Sequence, residues 1–137
     1  MNLFEMFDQE GPNELTLIDA LRDFLPIAIK HLKLDHVPKI KLVKELTDTH
    51  VPTFGRFENE TRIITVVIDK RQPVDIIRTL AHEMVHYAQG QEHQLASGSW
   101  HTGSPEENQA HFEAGIMMRE FDKQFPKYLS ADPVILP

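Results

Sequence analysis

The sequence predicts a single α+β domain, and three observations support that class. Its 137 residues match the usual size of one domain, about 100–150 residues. Apolar residues recur with helical spacing near the N-terminus and twice in the C-terminal half, and a β-branched segment lies between these regions. Helices and strands separated along the chain in this way are typical of α+β folds. We therefore expect one domain over residues 1–137, including an N-terminal arm over 1–14 and a C-terminal tail over 127–137.

The first predicted element is a helix from about Thr16 to Leu34, with Thr16 as its N-cap and with Pro26 kinking or splitting it. The arm before this helix is acidic and also carries several large apolar residues, so it either packs on the body or docks on a protein partner. A strand is predicted over Lys39–Leu46, where apolar residues partly alternate with polar ones after a proline.

A β-hairpin is predicted next. Its arms are Thr53–Glu58 and Arg62–Asp69, which flank a polar turn. The second arm contains the β-branched run Ile63–Ile68, which favours a strand strongly.

Two helices are predicted after the hairpin. The first runs from Pro73 to Gly90, because proline is favoured at the first helical position and glycine just past the last. Residues 91–103 lack periodicity and predict a long loop. The last helix starts at Ser104 and reaches about Phe125, and we expect the proline-rich tail after it to be peripheral.

Composition and charge exclude several function classes. There are no cysteines, which excludes disulfides, cysteine-ligated zinc and thiol catalysis. The formal net charge of −7 is opposite in sign to what phosphate binding needs, so no nucleic-acid partner is expected. No apolar stretch approaches the ~20 residues of a membrane helix, and the first residues lack a signal-peptide pattern. We expect an intracellular, cytoplasmic protein with no membrane partner. Its eight histidines are the unusual feature.

Five of these histidines lie between residues 82 and 111, and two of them form a metal-binding motif. The segment His82–His86 reads H-E-x-x-H on a predicted helix, so His82 and His86 lie one turn apart on one face and can bind the same ion. Glu83 can reach a metal-bound water, whose pKa zinc lowers to about 7, and can remove its proton. The alternative is a surface helix with two solvated histidines.

A catalytic zinc site usually has three protein ligands, and Glu107 is the first candidate for the third. It is the acidic residue on the apolar stripe of the last helix, where a carboxylate needs a partner. Alternatively, Glu107 only completes a capping box with Ser104. His111, one turn further along, either supports the site or contacts substrate, or is an uncharged core histidine.

Two other histidines compete with Glu107 as the third ligand. His93 follows the motif at one residue more than the metzincin spacing H-E-x-x-H-x-x-G-x-x-H. His101, next to Trp100, is distantly similar to the third-ligand histidine of SprT-like proteases, but those proteins tend to be basic. Otherwise His101 and Trp100 are candidates to line the cleft.

The two motif regions together resemble a known family. Thr79–His86 followed by Glu107–Ala114 is similar to the H-E-x-x-H … E-x-x-A-[N/D]-x-x-A layout of small gluzincin-type metallopeptidases, such as ImmA/IrrE-like peptidases, and to H-E-x-x-H proteins of tailed phages. The resemblance covers residues 73–118. It implies a zincin fold with one zinc ion per chain, bound by His82, His86 and Glu107, and with Glu83 as the general base.

The resemblance also implies an activity, namely zinc-dependent hydrolysis of a peptide or protein, in the host cytoplasm if a phage encodes the chain. A substrate peptide would pair with a sheet edge beside the active-site helix, and Ile63–Ile68 is the predicted edge. The family usually has Asn or Asp where this chain has His111. The alternative function is an inactive zinc-binding structural or interaction module of an assembly. A fourth protein ligand such as His111 or His101 would favour that alternative.

Overall fold

The computed structural model describes residues 12–47, 53–92 and 103–137. The elements in chain order are α1 (Pro12–Leu32), β1 (Lys39–Val43), β2 (Gly55–Glu58), β3 (Ile63–Val67), α2 (Pro73–Glu92), α3 (Pro105–Gln124) and a short 3-10 helix (Pro126–Ser130). This order confirms the predicted α+β class, with three long helices and a small mixed sheet. None of the helices in these ranges combines the length and the apolar character needed to cross a membrane.

The sheet has three strands in the order β1-β3-β2. The predicted hairpin is confirmed, because β2 pairs antiparallel with β3, while β1 pairs parallel with β3 on its other side. The prediction that Ile63–Ile68 forms a sheet edge is wrong, since β3 is the central strand. A run of β-branched residues suits a strand that is covered on both faces and paired on both sides. The edge strand that packs against α2 is β2 instead.

Several helix ends differ from the predicted ones. Helix α1 begins at Pro12, so Thr16 lies inside it and is not its N-cap, and the last residues of the predicted arm are helical. Residues 1–11 of that arm lie outside the described part of the chain. Pro26 does not split α1. Helix α2 continues two residues past Gly90, where a side chain would collide with Arg62. Gly90 therefore lies inside the helix beside the end of the Arg62 side chain and does not terminate α2.

The core is built around α2, which packs against α1, α3, β2 and β3. Its fully buried side chains are Ile76, Ile77, Leu80, Ala81 and Met84. Phe24 of α1 meets Phe121 of α3 edge-on, with ring centroids 5.6 Å apart. This packing confirms that the motif helix is central and largely buried, and it places the second half of α2 opposite the first turns of α3.

The C-terminal tail is part of the core, so the prediction that it is peripheral is wrong. Tyr128 is buried, and its ring stacks on Phe121 with centroids 5.5 Å apart. Its hydroxyl donates a hydrogen bond of 2.6 Å to Asp23 of α1. Val134 is also buried and forms an antiparallel bridge with Arg71. The tail thereby ties α1 and α3 to the start of α2.

Candidate metal site

The histidine motif of α2 and the first turn of α3 meet at one carboxylate. Glu107 Oε1 lies 2.7 Å from His82 Nε2, and Glu107 Oε2 lies 3.0 Å from His86 Nε2. Ser104 caps α3, because its hydroxyl accepts a hydrogen bond from the Glu107 N–H at 3.0 Å. The Ser104 cap is therefore present, but it does not account for the Glu107 side chain, which faces α2. The structure brings together the three residues predicted as ligands.

A third histidine reaches the same carboxylate from α3. His111 Nε2 lies 3.3 Å from Glu107 Oε1, and its ring centroid lies 4.6 Å from that of His82. The ligand atoms of His82, Glu107 and His111 all lie within 4.8 Å of one another, so this group could hold a metal ion. The His111 side chain is 69% exposed, so the alternative of an uncharged core histidine is wrong.

The donor chemistry of this cluster fits a divalent metal. Imidazole nitrogens and a carboxylate oxygen are the usual N/O ligands of zinc, with bonds of about 2.0–2.2 Å. Tetrahedral bonds of that length place neighbouring ligand atoms about 3.3–3.6 Å apart. The nitrogen–oxygen distances from Glu107 to His82, His86 and His111 are 2.7, 3.0 and 3.3 Å. The donors close enough together to hold an ion are His82, Glu107 and His111, while His86 approaches the other oxygen of Glu107.

Gln89 holds His86 in one orientation. The Gln89 amide nitrogen donates to the Glu106 backbone carbonyl at 2.9 Å and to Gln109 Oε1 at 2.8 Å. Because a carbonyl only accepts, the amide nitrogen must face Glu106, and Gln89 Oε1 then faces His86 Nδ1 at 2.8 Å. Nδ1 of His86 is therefore the donor to Gln89, which leaves Nε2, the atom that faces Glu107, as the nitrogen that would bind a metal. Ligand histidines are typically oriented by such a bond.

Sequence reasoning missed Gln89, although a signal for it existed. Gln89 follows His86 by three residues on a helix, and residues at that spacing are neighbours on the helix surface. An amide at this position can support an imidazole. Its partner on α3, the Glu106 carbonyl, is 17 residues away in sequence, and no sequence pattern indicates that pairing.

Replacing Gln89 should weaken metal binding without removing a ligand. We expect Gln89→Leu to lower metal affinity by about 10- to 100-fold, the usual effect of losing a group that orients a ligand. Competition with a chromophoric chelator measures this affinity. The matched control is Gln91→Leu, since Gln91 is exposed on the same helix. Equal affinities in the two variants would show that Gln89 does not orient His86.

Glu83 is a buried carboxyl group beside the cluster, with only 8% of its surface exposed. Burial, followed by the negative charge of Glu107, raises the pKa of Glu83 to about 8. Burial lowers the pKa of His82, against the opposing attraction of Glu107. Burial therefore favours the neutral form of His82, which is the form that binds a metal, and Glu83 has an environment that favours holding a proton.

The cluster opens into a cleft of about 380 Å³ between α2, α3 and the start of β2. His82, Glu83 and His111 all line it. Its other lining residues are Thr53, Phe54, Gly55, Arg78, Thr79, Ala114, Gly115 and Met118. A larger cavity of about 700 Å³ lies between α1 and α3 and includes none of the cluster residues. His82, Glu83 and His111 therefore face the smaller cleft, while His86 and Glu107 lie behind its lining residues.

Two glycines in this cleft should respond oppositely to substitution. A Cβ at Gly55 would lie 2.5 Å from Thr79 Cγ2 and 3.4 Å from Glu83 Cγ, whereas one at Gly115 meets nothing within 4 Å. We expect Gly55→Ala to lower the free energy of unfolding by about 1–3 kcal/mol through overpacking. Gly115→Ala should raise it by up to about 1 kcal/mol, through helix propensity. Urea unfolding measures both, and similar effects in the two variants would contradict this packing.

The remaining candidate ligands lie outside the described residues. His93, Trp100 and His101 all fall within residues 93–102, so their roles stay predictions. No protein-family model, curated protein or solved structure matches this chain. The resemblance to gluzincin-type peptidases therefore depends on the two motif regions alone.

Proposed function

We propose that this chain is a zinc-dependent peptide hydrolase, a metalloendopeptidase that binds one zinc ion through His82, His86 and Glu107. The observation that carries the proposal is the convergence of Glu107 with both motif histidines beside the buried Glu83, at the wall of an open cleft. Two histidines and one glutamate form a common ligand set for catalytic zinc. A chain without cysteine can bind zinc only through nitrogen and oxygen ligands.

In this proposal Glu83 transfers protons. When bound, zinc polarises the peptide carbonyl and lowers the pKa of water to about 7. The Glu83 carboxylate accepts the proton of the attacking water and then delivers it to the leaving amine. Burial and the Glu107 charge favour the protonated form of Glu83, which supports the second of these steps. The charge of a bound zinc ion would favour the carboxylate form that the first step needs. Among the described residues, no hydrogen bond joins Glu83 to an imidazole of the cluster, so its carboxyl group is available to a water molecule at the metal.

The edge strand β2 supports a peptide as the substrate. Extended peptides bind sheet edges through main-chain hydrogen bonds, and β2 is an edge strand that packs against the motif helix. Gly55, the first residue of β2, lines the same cleft as Glu83. Phe54, just before it, is 58% exposed and offers an apolar surface for a substrate side chain.

Removing and restoring the metal tests this function. We expect the purified protein to contain one zinc ion per chain and to cleave peptides in a quenched-fluorescence library. A chelator should abolish cleavage, and one equivalent of zinc should restore it. The proposal is wrong if the zinc-loaded protein cleaves no peptide, or if cleavage persists after all metal has been removed.

A second candidate function is an inactive zinc-binding structural or interaction module, and His111 is the observation that favours it. Structural zinc sites usually have four protein ligands, and His111 brings a fourth donor to Glu107. Such a module would bind zinc without hydrolysing peptides. A partner that binds the arm over residues 1–14 stays a prediction, since residues 1–11 lie outside the described part of the chain.

A further inference from the structure

We propose that His111 is an exchangeable fourth metal ligand, which binds the metal in the resting protein and leaves it when a peptide carbonyl arrives. The inference rests on the proposed function and concerns the regulation of the same site. With His111 bound, the site would have the four protein ligands typical of structural zinc. With His111 displaced, it would have the open position that catalysis needs.

The first argument is the approach of three imidazoles to one carboxylate. His82 and His111 approach the same Glu107 oxygen, at 2.7 and 3.3 Å, while His86 approaches the other oxygen at 3.0 Å. Glu107 and His111 lie one turn apart on α3, and residues at that spacing share a helix face. The helix backbone therefore presents both donors together, and no loop has to close to complete a four-ligand site.

The second argument is the contrast in burial among the four donors. The exposed fractions of the side chains are 5% for His86, 11% for Glu107 and 17% for His82, but 69% for His111. Gln89 anchors His86 from behind. Within the described residues, the carboxylate of Glu107 is the polar partner found for His111. His111 can therefore rotate into solvent without breaking a buried hydrogen bond, whereas His86 cannot.

The third argument is position. His111 lines the substrate cleft together with Glu83 and Gly55. When its imidazole points at Glu107, it takes up part of the cleft through which a substrate carbonyl would reach the metal. A peptide must displace it, so His111 should weaken the binding of any ligand that coordinates the metal from the cleft.

Metal and inhibitor affinities in His111→Ala provide the first test. We expect zinc affinity, measured with a chromophoric chelator, to fall by about tenfold. This is the lower end of the loss of about 10- to 100-fold that is usual when a group supporting a metal site is removed. Acetohydroxamate, a small metal-chelating ligand, should bind the zinc-loaded variant more tightly than the zinc-loaded wild type, because it no longer displaces an imidazole. A His111 that never binds the metal would not move these two affinities in opposite directions. A permanent ligand would do so as well, but it would keep acetohydroxamate from binding the zinc-loaded wild type.

His111→Cys provides the second test, because the chain contains no cysteine of its own. A thiolate bound to Co²⁺ gives a near-ultraviolet charge-transfer band, and we expect this band in the Co²⁺-loaded variant and its loss on adding acetohydroxamate. The control is His36→Cys, since the His36 side chain is also exposed, at 52%, but lies outside the cluster. It should show no band.

Two patterns of results separate this inference from the proposed function. If wild type binds zinc and cleaves peptides, but His111→Ala keeps both affinities and His111→Cys shows no band, the inference is wrong and the function stands. If wild type binds zinc without cleaving peptides while the band appears and persists with acetohydroxamate, His111 is a permanent ligand. That result overturns the exchange and supports the structural module.

Discussion

Glu83→Gln should abolish peptide hydrolysis while leaving zinc bound. Glutamine has nearly the size of glutamate but cannot accept a proton, and general-base catalysis typically contributes about 10²–10⁴-fold to rate. We therefore expect kcat to fall by at least about 10²-fold. The donor atoms that approach Glu107 belong to His82, His86 and His111, and this variant leaves all of them in place, so the zinc content should remain that of wild type. Steady-state kinetics and elemental analysis of the same preparation measure both effects.

A matched control separates this effect from a general loss of charge. Glu120→Gln makes the same change at an exposed position on α3 and should leave kcat unchanged. If Glu83→Gln hydrolyses peptides at the wild-type rate, Glu83 is not the general base. Loss of zinc in Glu83→Gln would instead mean that Glu83 contributes to the metal site.

The Glu83→Gln substitution should also make the metal-free protein more stable than wild type at alkaline pH. Burial and Glu107 raise the pKa of Glu83 from 4.5 to about 8 on folding. The folded state therefore holds this proton more tightly than the unfolded state. The resulting stabilisation is complete below about pH 4.5 and is lost as pH rises to about 8. With a chelator present, Glu83→Gln should have a higher Tm than wild type near pH 8 and a similar Tm near pH 4.5. Identical pH dependence in both proteins would contradict the raised pKa.

Glu107→Ala should release the zinc. Glu107 is the carboxylate that contacts His82, His86 and His111, and its removal leaves imidazoles from two helices without a common anionic partner. Zinc sites with four protein ligands bind with about 10–16 kcal/mol in total, so losing one ligand should cost about 100-fold or more in affinity. Zinc stoichiometry after dialysis, together with chelator competition, measures the loss.

His93→Ala and His101→Ala are the direct comparisons for Glu107→Ala, because these two histidines are the other candidates for the third ligand. Both variants should retain one zinc ion per chain. Glu107→Gln, which preserves the side-chain size, controls for misfolding, and circular dichroism with chelator present confirms that each variant is folded. If Glu107→Ala binds zinc normally while His93→Ala or His101→Ala does not, the third ligand lies in residues 93–102.

The amino-acid sequence was sufficient for the features that depend on neighbouring residues. Helical spacing placed the H-E-x-x-H motif on a helix, and the apolar stripe of the last helix singled out Glu107 as its inward-facing carboxylate. The polar turn between two β-rich segments predicted the hairpin. Periodicity, turn composition and helix capping act over a few residues, so they can be read without knowing the fold.

Other features of the fold and the site were decided only by the packing of α2 against α3 and of the sheet against α2. Pairing with β1 made β3 the central strand and left β2 as the edge beside the cleft. The helix pairing also joined Gln89 to the Glu106 carbonyl and turned His111 toward the cleft rather than into the core. These features depend on which residues meet across long stretches of chain. Local periodicity indicates that a helix has a buried face, but not which helix or strand covers it.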